Sequence, residues 1–448
     1  MMVGMAGEQT RTTTPPPIRT SAEDEPPRSS TRAWSRRTRL LVVGIVLAAL
    51  NLRPAITSLG ALLEEVRDGL GMSGSVAGLL TSVPPLCFAV FGVMAPRLAR
   101  RFGPGAVVCA GMVAITAGLL LRPYAGGTAG FLAASALALM GIAVSNVLMP
   151  AIVKRHFPDR VGTMTGLYSM ALALGTATAA AVTVPMTEAL GGSWQTGLAL
   201  WAGLAAAAVL PWLPLARDRG TAPDGTGTAG ERQQRGPRSA PQAPARAAQP
   251  SAAPLRVTRS RTAWALAVFF GLQATAAYIT MGWMPQIFRD AGVPASTAGL
   301  LLAVTMAMGV PLAFVIPRVA TRLPHQGPIV LALGGCGLVG YAGLYLAPAG
   351  GAWAWALLLG IANCAFPLAL TMVGMRARTG AGVAQLSAFA QSTGYLISIP
   401  GPLLVGVLYQ HSGGWGLPLA LMAALMVPQT VVGVLAGRDR TVEEEAAR

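Results

Sequence analysis

The sequence predicts an all-α integral membrane protein whose twelve transmembrane helices form two similar six-helix halves. Three observations support this fold class: an apolar composition, twelve apolar segments of spanning length, and a repeat that relates the two halves. Hydrophobic residues make up 53% of the 448 residues and charged residues only 11%. A soluble chain carries about a quarter charged residues, so the composition indicates a membrane protein.

The formal net charge is +16, and Lys154 is the only lysine, so arginine supplies almost all of the positive charge. These arginines cluster in tails and short loops. Basic patches interleaved with aromatic residues are missing, which argues against a nucleic-acid partner. The four cysteines lie in apolar runs without metal-ligand spacing. We therefore expect them to pack in the interior and expect no metal or cofactor.

An α-helix needs about 20 mostly apolar residues to cross the hydrocarbon core of a bilayer, and helices are the only plausible spanning elements here. Twelve segments satisfy this length, and a polar gap separates the first six from the last six. The predicted spans lie near 39–63, 75–96, 104–123, 128–152, 161–187, 194–215, 262–287, 296–317, 327–347, 352–375, 383–408 and 415–437.

Basic and nearly neutral loops alternate along the chain, which predicts the orientation of the bundle. By the positive-inside rule, both termini and the central loop face the cytoplasm, in a multi-pass protein of the plasma membrane. The predicted units are a disordered N-terminal tail, two bundles joined by a flexible linker, and a cytoplasmic C-terminal tail. Their bounds are 1–37 for the first tail, 38–215 and 262–437 for the bundles, 216–261 for the linker and 438–448 for the last tail.

The two halves contain matching segments. Residues 71–80, GMSGSVAGLL, resemble residues 292–301, GVPASTAGLL. At the same offset, 95–101 (APRLARR) falls on 316–322 (IPRVATR). A matching proline-arginine corner in equivalent loops is strong evidence for duplication. Two parallel six-helix repeats are typical of transporters that hold substrate near the midplane between the halves.

The segment LNLRPAIT, from Leu50 to Thr57, places a charged guanidinium inside the first span. Counted from Leu40, Arg53 lies about 20 Å into the helix, near the bilayer centre. A central arginine costs from about 3 to more than 10 kcal/mol when it faces lipid, which favours a polar cavity. Pro54 cannot donate to the carbonyl of Leu50 and disfavours helical geometry at Arg53, so we expect a local break there.

A guanidinium matches carboxylate-like anions with a planar fork of donors, so Arg53 is the leading candidate for binding an anionic substrate. A bundle-stabilising arginine is the alternative. Thr57 lies one turn beyond Arg53 on the same face. The remaining substrate-binding candidates are polar residues within spans 4, 5, 7, 10 and 11: Asn146, Tyr168, Gln273, Tyr278, Asn363, Gln391 and Tyr395.

Conformational change is the role expected of Pro54 and of the four arginines at the repeated corner, Arg97, Arg101, Arg318 and Arg322. No Asp or Glu lies deep within a span, and the three histidines lie in loops. Proton relays usually need such a group inside the membrane. The sequence therefore offers no obvious proton carrier, and the coupling ion stays open.

Twelve spans, a central linker and a basic loop between spans 2 and 3 resemble the major facilitator superfamily. Within it, NLRPAITS at 51–58 is similar to the signature of the cyanate permease and nitroimidazole transporter (CynX/NimT) branch, as are NVLMP at 146–150 and KRHFP at 154–158. The superfamily loop usually carries Gly-x-x-x-Asp-Arg, whereas this chain has GVMAPR at 92–97, with proline in place of the aspartate. The resemblance implies a weaker or different latch there.

These features favour a secondary transporter that moves a small anionic solute by alternating access, with Arg53 at the central cavity. A cyanate-like substrate is what the resemblance implies. The alternative within transport is an exporter of nitroaromatic or drug-like compounds. A membrane-embedded enzyme is a remote alternative, because paired carboxylates and metal ligands near an interface are missing. A channel or sensor has no specific feature in its favour. The expected partners are the solute and the lipid bilayer.

Overall fold

The computed structural model describes residues 36–217 and 257–446. Residues 1–35 of the predicted disordered tail, 1–37, and most of the predicted linker, 216–261, lie outside the described residues, whereas Arg36 and Arg37 begin the first helix. Twelve helices in the described ranges are long and apolar enough to cross a membrane. They are numbered as spans 1 to 12: Thr38–Ala61, Gly74–Phe102, Pro104–Tyr124, Thr128–His156, Thr163–Ala189, Trp194–Ala216, Arg261–Asp290, Ala295–Ala320, Gly327–Leu346, Ala352–Met375, Gly382–Ser412 and Gly416–Ala436. Each overlaps a predicted span, which confirms the fold class.

Several spans are divided into two helical segments, which are separated by one or two residues. Span 1 consists of Arg36–Asn51 and Pro54–Ala61, and Leu63–Leu70 continues beyond it. The other interrupted spans are 6 (Trp194–Ala199, Trp201–Arg217), 8 (Ala295–Ala307, Gly309–Ala320), 10 (Ala352–Asn363, Ala365–Met375) and 11 (Gly380–Ser398, Pro400–Ser412). Short helices lie at Arg122–Tyr124, Pro158–Arg160, Val257–Arg259 and Val442–Ala446.

The two halves share one packing pattern. In the first half, span 1 packs against spans 5 and 6, span 2 against span 4, and span 3 against spans 4 and 6. In the second half, span 7 packs against spans 11 and 12, span 8 against span 10, and span 9 against spans 10 and 12. Between the halves, span 2 contacts span 11, span 5 contacts span 8, and span 1 contacts span 7. This is the pairing expected of two parallel repeats.

The matched segments end their preceding helices in the same way. Gly71 and Gly292 both have positive φ, 61° and 87°. The amides that follow them, of Met72 and Val293, each donate five residues back, to Arg67 and Phe288 at 2.8 and 3.0 Å. This is the Schellman arrangement, for which glycine is preferred. The repeat predicted from the sequence is therefore also a repeat of local structure.

The membrane-spanning bundle has a tail face, where residues 36, 217, 257 and 446 lie, and a distal face opposite to it. The halves meet closely toward the distal face. A Cβ on Gly78 would lie 2.9 Å from the carbonyl oxygen of Leu403, and one on Gly299 would lie 2.6 Å from that of Ala180. Gly78 and Gly299 are the equivalent glycines of the repeated Ala-Gly-Leu-Leu motif. The motif therefore serves the contact between the halves.

The predicted C-terminal tail, 438–448, is described up to residue 446 and packs against the tail end of span 7. The Glu445 carboxylate accepts hydrogen bonds from Ser260 Oγ at 2.6 Å and from Thr262 Oγ1 and N at 2.8 and 3.1 Å. Partial burial acts to raise the pKa of this carboxyl, but these hydrogen bonds outweigh burial and hold the pKa below its ordinary value. The tail is thereby fixed to the second half.

Replacement of Gly299 by alanine is expected to open the distal face. The added Cβ overlaps the Ala180 carbonyl oxygen, and overpacking of this kind costs about 1–3 kcal/mol. The population with separated halves should rise by about 5- to 150-fold. Spin labels at Asp68 and Ser412, near the distal helix ends of the two halves, measure this population as the fraction of molecules in which the two labels are far apart. Gly335→Ala, at a glycine with open space around it, is the matched control, and equal distance distributions for the two variants would refute this role.

Candidate functional site

The break in span 1 is built around Arg53 and Pro54. Arg53 has φ −128° and ψ −27° and no helical continuation on its N-terminal side. Its carbonyl begins the next helix by accepting from the amides of Ile56 and Thr57 at 2.9 and 3.1 Å. Pro54 has no amide hydrogen to give to Leu50. The break predicted from the sequence is present.

The carbonyl of Leu50, which Pro54 leaves without its helical donor, faces span 5. A Cβ on Gly175 would lie 2.2 Å from this oxygen. Only a glycine lets the two backbones approach this closely, in a geometry in which weak Cα–H···O contacts are common between helices. Gly175 therefore allows span 1 to keep its break in a buried position.

The guanidinium of Arg53 is surrounded by aromatic side chains from both halves. It lies 5.9 Å from the ring centre of Phe88 in span 2, within cation–π range. It is also close enough to the hydroxyls of Tyr278, Tyr395 and Tyr168 to interact with them electrostatically. Arg53 is only partly buried, so this deep side chain still borders accessible space.

An aromatic cluster extends from this site into the second half. Phe88 stacks on Tyr395 with ring centres 5.0 Å apart. Tyr395 meets Phe270 edge to face at 5.2 Å, and Phe270 packs on Phe366 at 5.8 Å. One wall of the site is therefore formed by flat apolar rings contributed by spans 2, 7, 10 and 11.

The fourth span of each half carries one asparagine, Asn146 in span 4 and Asn363 in span 10. The hydroxyl of Tyr168 donates to Asn146 Oδ1. In the second half, Gln273 Nε2 donates to Oδ1 and the carbonyl oxygen of Asn363 at 3.3 and 3.4 Å. Gln273 Oε1 is buried without a partner among the described residues. The structure thus joins Asn146 to Tyr168 and Asn363 to Gln273.

Two other candidates make local contacts. Thr57 is fully buried, and its hydroxyl donates to the carbonyl of Arg53 at 3.2 Å, where it supports the break. Gln391 is partly buried, and its Nε2 donates to Ser387 Oγ at 2.8 Å. Tyr395, one turn further along span 11, is the residue of this pair that touches the cluster around Arg53.

The four arginines proposed for conformational change lie at the tail face with exposed side chains. The sequence predicts loops at these positions, but Arg97, Arg101 and Arg318 lie within helices and Arg322 lies just beyond one. Arg101 lies over the ring of Phe102 at 5.2 Å, and Arg318 donates to the carbonyl of Phe314 in its own helix at 3.1 Å. Arg97 and Arg322 are the other two.

Carboxylates that form ion pairs in the membrane-spanning bundle lie at its distal end, away from Arg53. Arg289 pairs with Glu64 and Glu65, each at 2.9 Å, across the two halves. Nearby, Gln410 Oε1 accepts from Ser75 N and Oγ at 2.9 and 2.7 Å. In the described ranges no carboxylate pairs with Arg53. This distal ion-pair cluster closes the end of the bundle beyond the site.

Sequence reasoning missed several of these residues. Phe88 carries no polar signal, and only its position against Arg53 shows its role. Glu64, Glu65 and Arg289 are loop-end charges that are more than 220 residues apart. Arg122 lies near the predicted end of span 3, yet its side chain is 2% exposed and donates to the Ala55 carbonyl oxygen at 2.9 Å.

Comparison with known proteins identifies the chain. The model of the Major Facilitator Superfamily matches residues 41–381. The uncharacterized transporter YycB of Bacillus subtilis is 35% identical over 407 residues, which cover 90% of this chain and 94% of that protein. The 2-nitroimidazole transporter of Escherichia coli is 32% identical, with 92% and 99% covered. The cyanate transport protein CynX of Escherichia coli is 29% identical, with 88% and 96% covered.

Solved structures support the fold. The nucleoside transporter NupG superposes with a TM-score of 0.67 at 12% identity, covering 90% of this chain and 99% of that one. These matches indicate a multi-pass membrane transporter of a small molecule rather than an enzyme. The chain belongs to the major facilitator superfamily, in the branch that holds the 2-nitroimidazole and cyanate transporters.

Proposed function

We propose that this transporter moves a small anionic solute by alternating access and that Arg53 binds the solute. The observation that carries the proposal is the uncompensated charge of Arg53. The arginine lies deep in the bundle, beside partly accessible space, and no described carboxylate pairs with it. A buried charge is costly unless it is paired, so an anion at this position completes the site.

The groups around Arg53 suit an anion. An arginine is always protonated and offers a planar fork of donors. The nearby phenols of Tyr278, Tyr395 and Tyr168 are neutral at ordinary pH. Tyr278 and Tyr395 can each donate a hydrogen bond to the same anion without repelling it, whereas the hydroxyl hydrogen of Tyr168 is given to Asn146. Asn146 and the amide pair Gln273–Asn363 extend this polar surface on either side, and Thr57 and Gln391 support it within their helices.

The closed distal face supports alternating access. The ion pairs of Arg289 and the contacts of Gly78 and Gly299 join the halves beyond Arg53. Toward the tail face the two halves pack less closely. A Cβ on Gly166 in span 5 would lie 3.8 Å from its nearest neighbour, the ring of Phe314 in span 8. We propose that the tail face is cytoplasmic, in the plasma membrane, so that this conformation is inward-facing.

In the transport cycle, the distal contacts must separate while the tail ends of the spans close. Pro54 places a break in span 1 at the level of the substrate, so the two helical segments can tilt separately. The exposed arginines at 97, 101, 318 and 322 lie at or just beyond the tail ends of spans 2 and 8, which must approach the opposite half when the tail face closes. The coupling ion is unassigned, because the described carboxylates lie at span ends.

A second candidate substrate is a nitroaromatic compound. The aromatic wall of Phe88, Tyr395 and Phe270 favours a flat ring, and a relative that is 32% identical is named a 2-nitroimidazole transporter. A nitro group carries partial negative charge on two oxygens, with the same spacing as a carboxylate. Arg53 can therefore donate to either kind of substrate, and the aromatic wall distinguishes them.

Replacement of Arg53 by glutamine is expected to lower the kcat/KM of cyanate uptake into proteoliposomes by at least about 100-fold. The change removes two charge-assisted hydrogen bonds, which contribute about 1.5–3 kcal/mol each. Arg53→Lys keeps the charge but not the fork, so about a tenfold loss is expected. Arg155→Gln, the same change at an exposed arginine in the last turn of span 4, is the matched control. Wild-type uptake by a folded Arg53→Gln protein would exclude this role for Arg53.

Replacement of Phe88 by leucine separates the two substrate classes. Loss of the aromatic face should weaken 2-nitroimidazole binding by about 3- to 10-fold, in line with about 0.5–1.5 kcal/mol for an aromatic contact. Cyanate has no ring to stack, so its uptake should change less than about twofold. Calorimetry measures the binding of 2-nitroimidazole, and a proteoliposome assay on the same protein preparation measures the uptake of cyanate.

The control for this substitution is Phe102→Leu, at an exposed phenylalanine on the tail face. If Phe88→Leu weakens cyanate as much as 2-nitroimidazole, Phe88 only supports the shape of the site. If neither changes, the aromatic wall is not part of substrate binding.

A further inference from the structure

A second buried arginine lies between the Arg53 site and the distal face. Arg122 lies at the distal end of span 3 and turns its side chain into the bundle, where it is 2% exposed. It donates through Nη1 to the carbonyl of Ala55 at 2.9 Å and through Nη2 to Ser58 Oγ at 3.4 Å. Both acceptors are neutral, and no ion pair forms with Arg122 in the part of the chain that the structure describes.

Arg122 borders a cavity of about 20 Å³ between spans 1, 2, 3, 4 and 7. This volume holds a single small occupant, because a water molecule needs about 10–15 Å³ on this measure. Ser135 and Tyr278 also line the cavity. Apolar side chains, among them Leu139 and Pro84, form much of the rest, so the cavity does not solvate a charge by itself.

Three polar atoms of the residues that line this cavity have no hydrogen-bond partner within residues 36–217 and 257–446. They are Arg122 Nε, Ser135 Oγ and Tyr278 Oη, each fully buried. Tyr278 lies beside Arg53 without standard hydrogen-bond geometry to it. Buried polar groups almost always have partners, and each of these three carries a hydrogen that it can donate. Three free donors beside one full positive charge form an anion site.

A water molecule satisfies these hydrogen bonds but leaves the charge of Arg122 uncompensated. An anion accepts all three donors and also balances the charge, which is the larger cost in a low-dielectric interior. The cavity volume restricts the occupant to a monatomic or short linear ion. We propose that Arg122, Ser135 and Tyr278 form a second binding site, for one small monovalent anion such as a halide or cyanate.

This second anion site is separate from the proposed substrate site, but Tyr278 borders both, and its one hydroxyl hydrogen can be donated to only one of the two ions at a time. An anion at Arg122 therefore lies next to the path between Arg53 and the distal face. Two sources supply such an ion: a resident halide that acts as a counter-ion, or the transported anion on its way through. The same chemistry serves both, and competition between bromide and cyanate distinguishes them.

Bromide is the test ion, because it can be located by anomalous scattering and titrated by calorimetry in gluconate buffer. The full chain should show two bromide positions, one at each arginine. Arg53→Gln should lose only the central ion, and Arg122→Gln only the second, with binding there at least about 100-fold weaker. Bromide at Arg122 without bromide at Arg53 would support this site while removing support for the proposed substrate site.

A serine pair keeps the test informative if Arg122→Gln does not fold. Ser135→Ala removes one donor and should weaken bromide binding at Arg122 about tenfold. Ser145→Ala is the matched control: it is on the same helix, equally buried and unpartnered, but does not line the cavity. Its bromide affinity should equal that of the wild type.

Cyanate added in excess then shows whether the ion at Arg122 is a resident halide or the transported anion. Displacement of the bromide at Arg122 shows that the transported ion visits this site, and retention shows a resident halide. The proposal is overturned if wild-type crystals show only water at Arg122, if Arg122→Gln keeps the second bromide, or if the two serine variants bind bromide equally.

Discussion

The arrangement of the bundle follows from one constraint, the charge of Arg53 in a low-dielectric interior. An unpaired ion there costs several kcal/mol, and the neighbours of Arg53 reduce this cost without removing the charge. The ring of Phe88 and the phenols of three tyrosines stabilise the cation as neutral groups. A carboxylate in their place would form a permanent ion pair and neutralise the charge of Arg53, so an anionic solute would no longer be needed to balance it. The aromatic surroundings therefore keep the guanidinium available, and the break at Pro54 keeps it where the two halves meet.

Duplication supplies the frame, but the chemistry is placed in one half. When residues are counted back from Gly71 in the first half and from Gly292 in the second, Arg53 corresponds to Ala274 and Thr57 corresponds to Tyr278. The first half thus carries the charge, and the second half contributes a phenol at a position where the first has a small hydroxyl. Symmetric packing brings these unlike residues to the same axis. A site made in this way is asymmetric toward the substrate although its scaffold is nearly symmetric.

The sequence alone was sufficient for the number of spans, the repeat and the central arginine, because each leaves a pattern along the chain. Hydrophobic length marks a span, and an ionised group at mid-span cannot be explained by lipid contact. Arg122 left no such pattern: at the end of an apolar run, it resembles an arginine that reaches for the membrane surface, and only the fold shows the side chain turned inward. Phe88 is indistinguishable from any core phenylalanine until Arg53 is placed beside it. Contacts across the halves, such as Arg289 with Glu64, join residues too far apart in sequence to be paired by spacing.

The energetics of the distal closure bear on how a solute can drive the cycle. Partly exposed ion pairs contribute about 0–1 kcal/mol, so the two carboxylates on Arg289 supply only part of the closure. The backbone contacts at Gly78 and Gly299 supply close packing over a wider area. On the tail side, the chain has proline where the superfamily usually places the aspartate of its loop motif, at Pro96, which implies that an opposing latch is weaker there or built differently. The empty protein should therefore favour the closed distal face. On the proposal that Arg53 binds the solute, the solute can shift this balance only by binding the other conformation more tightly. Phenols contributed by both halves would then give it contacts that change as the halves move.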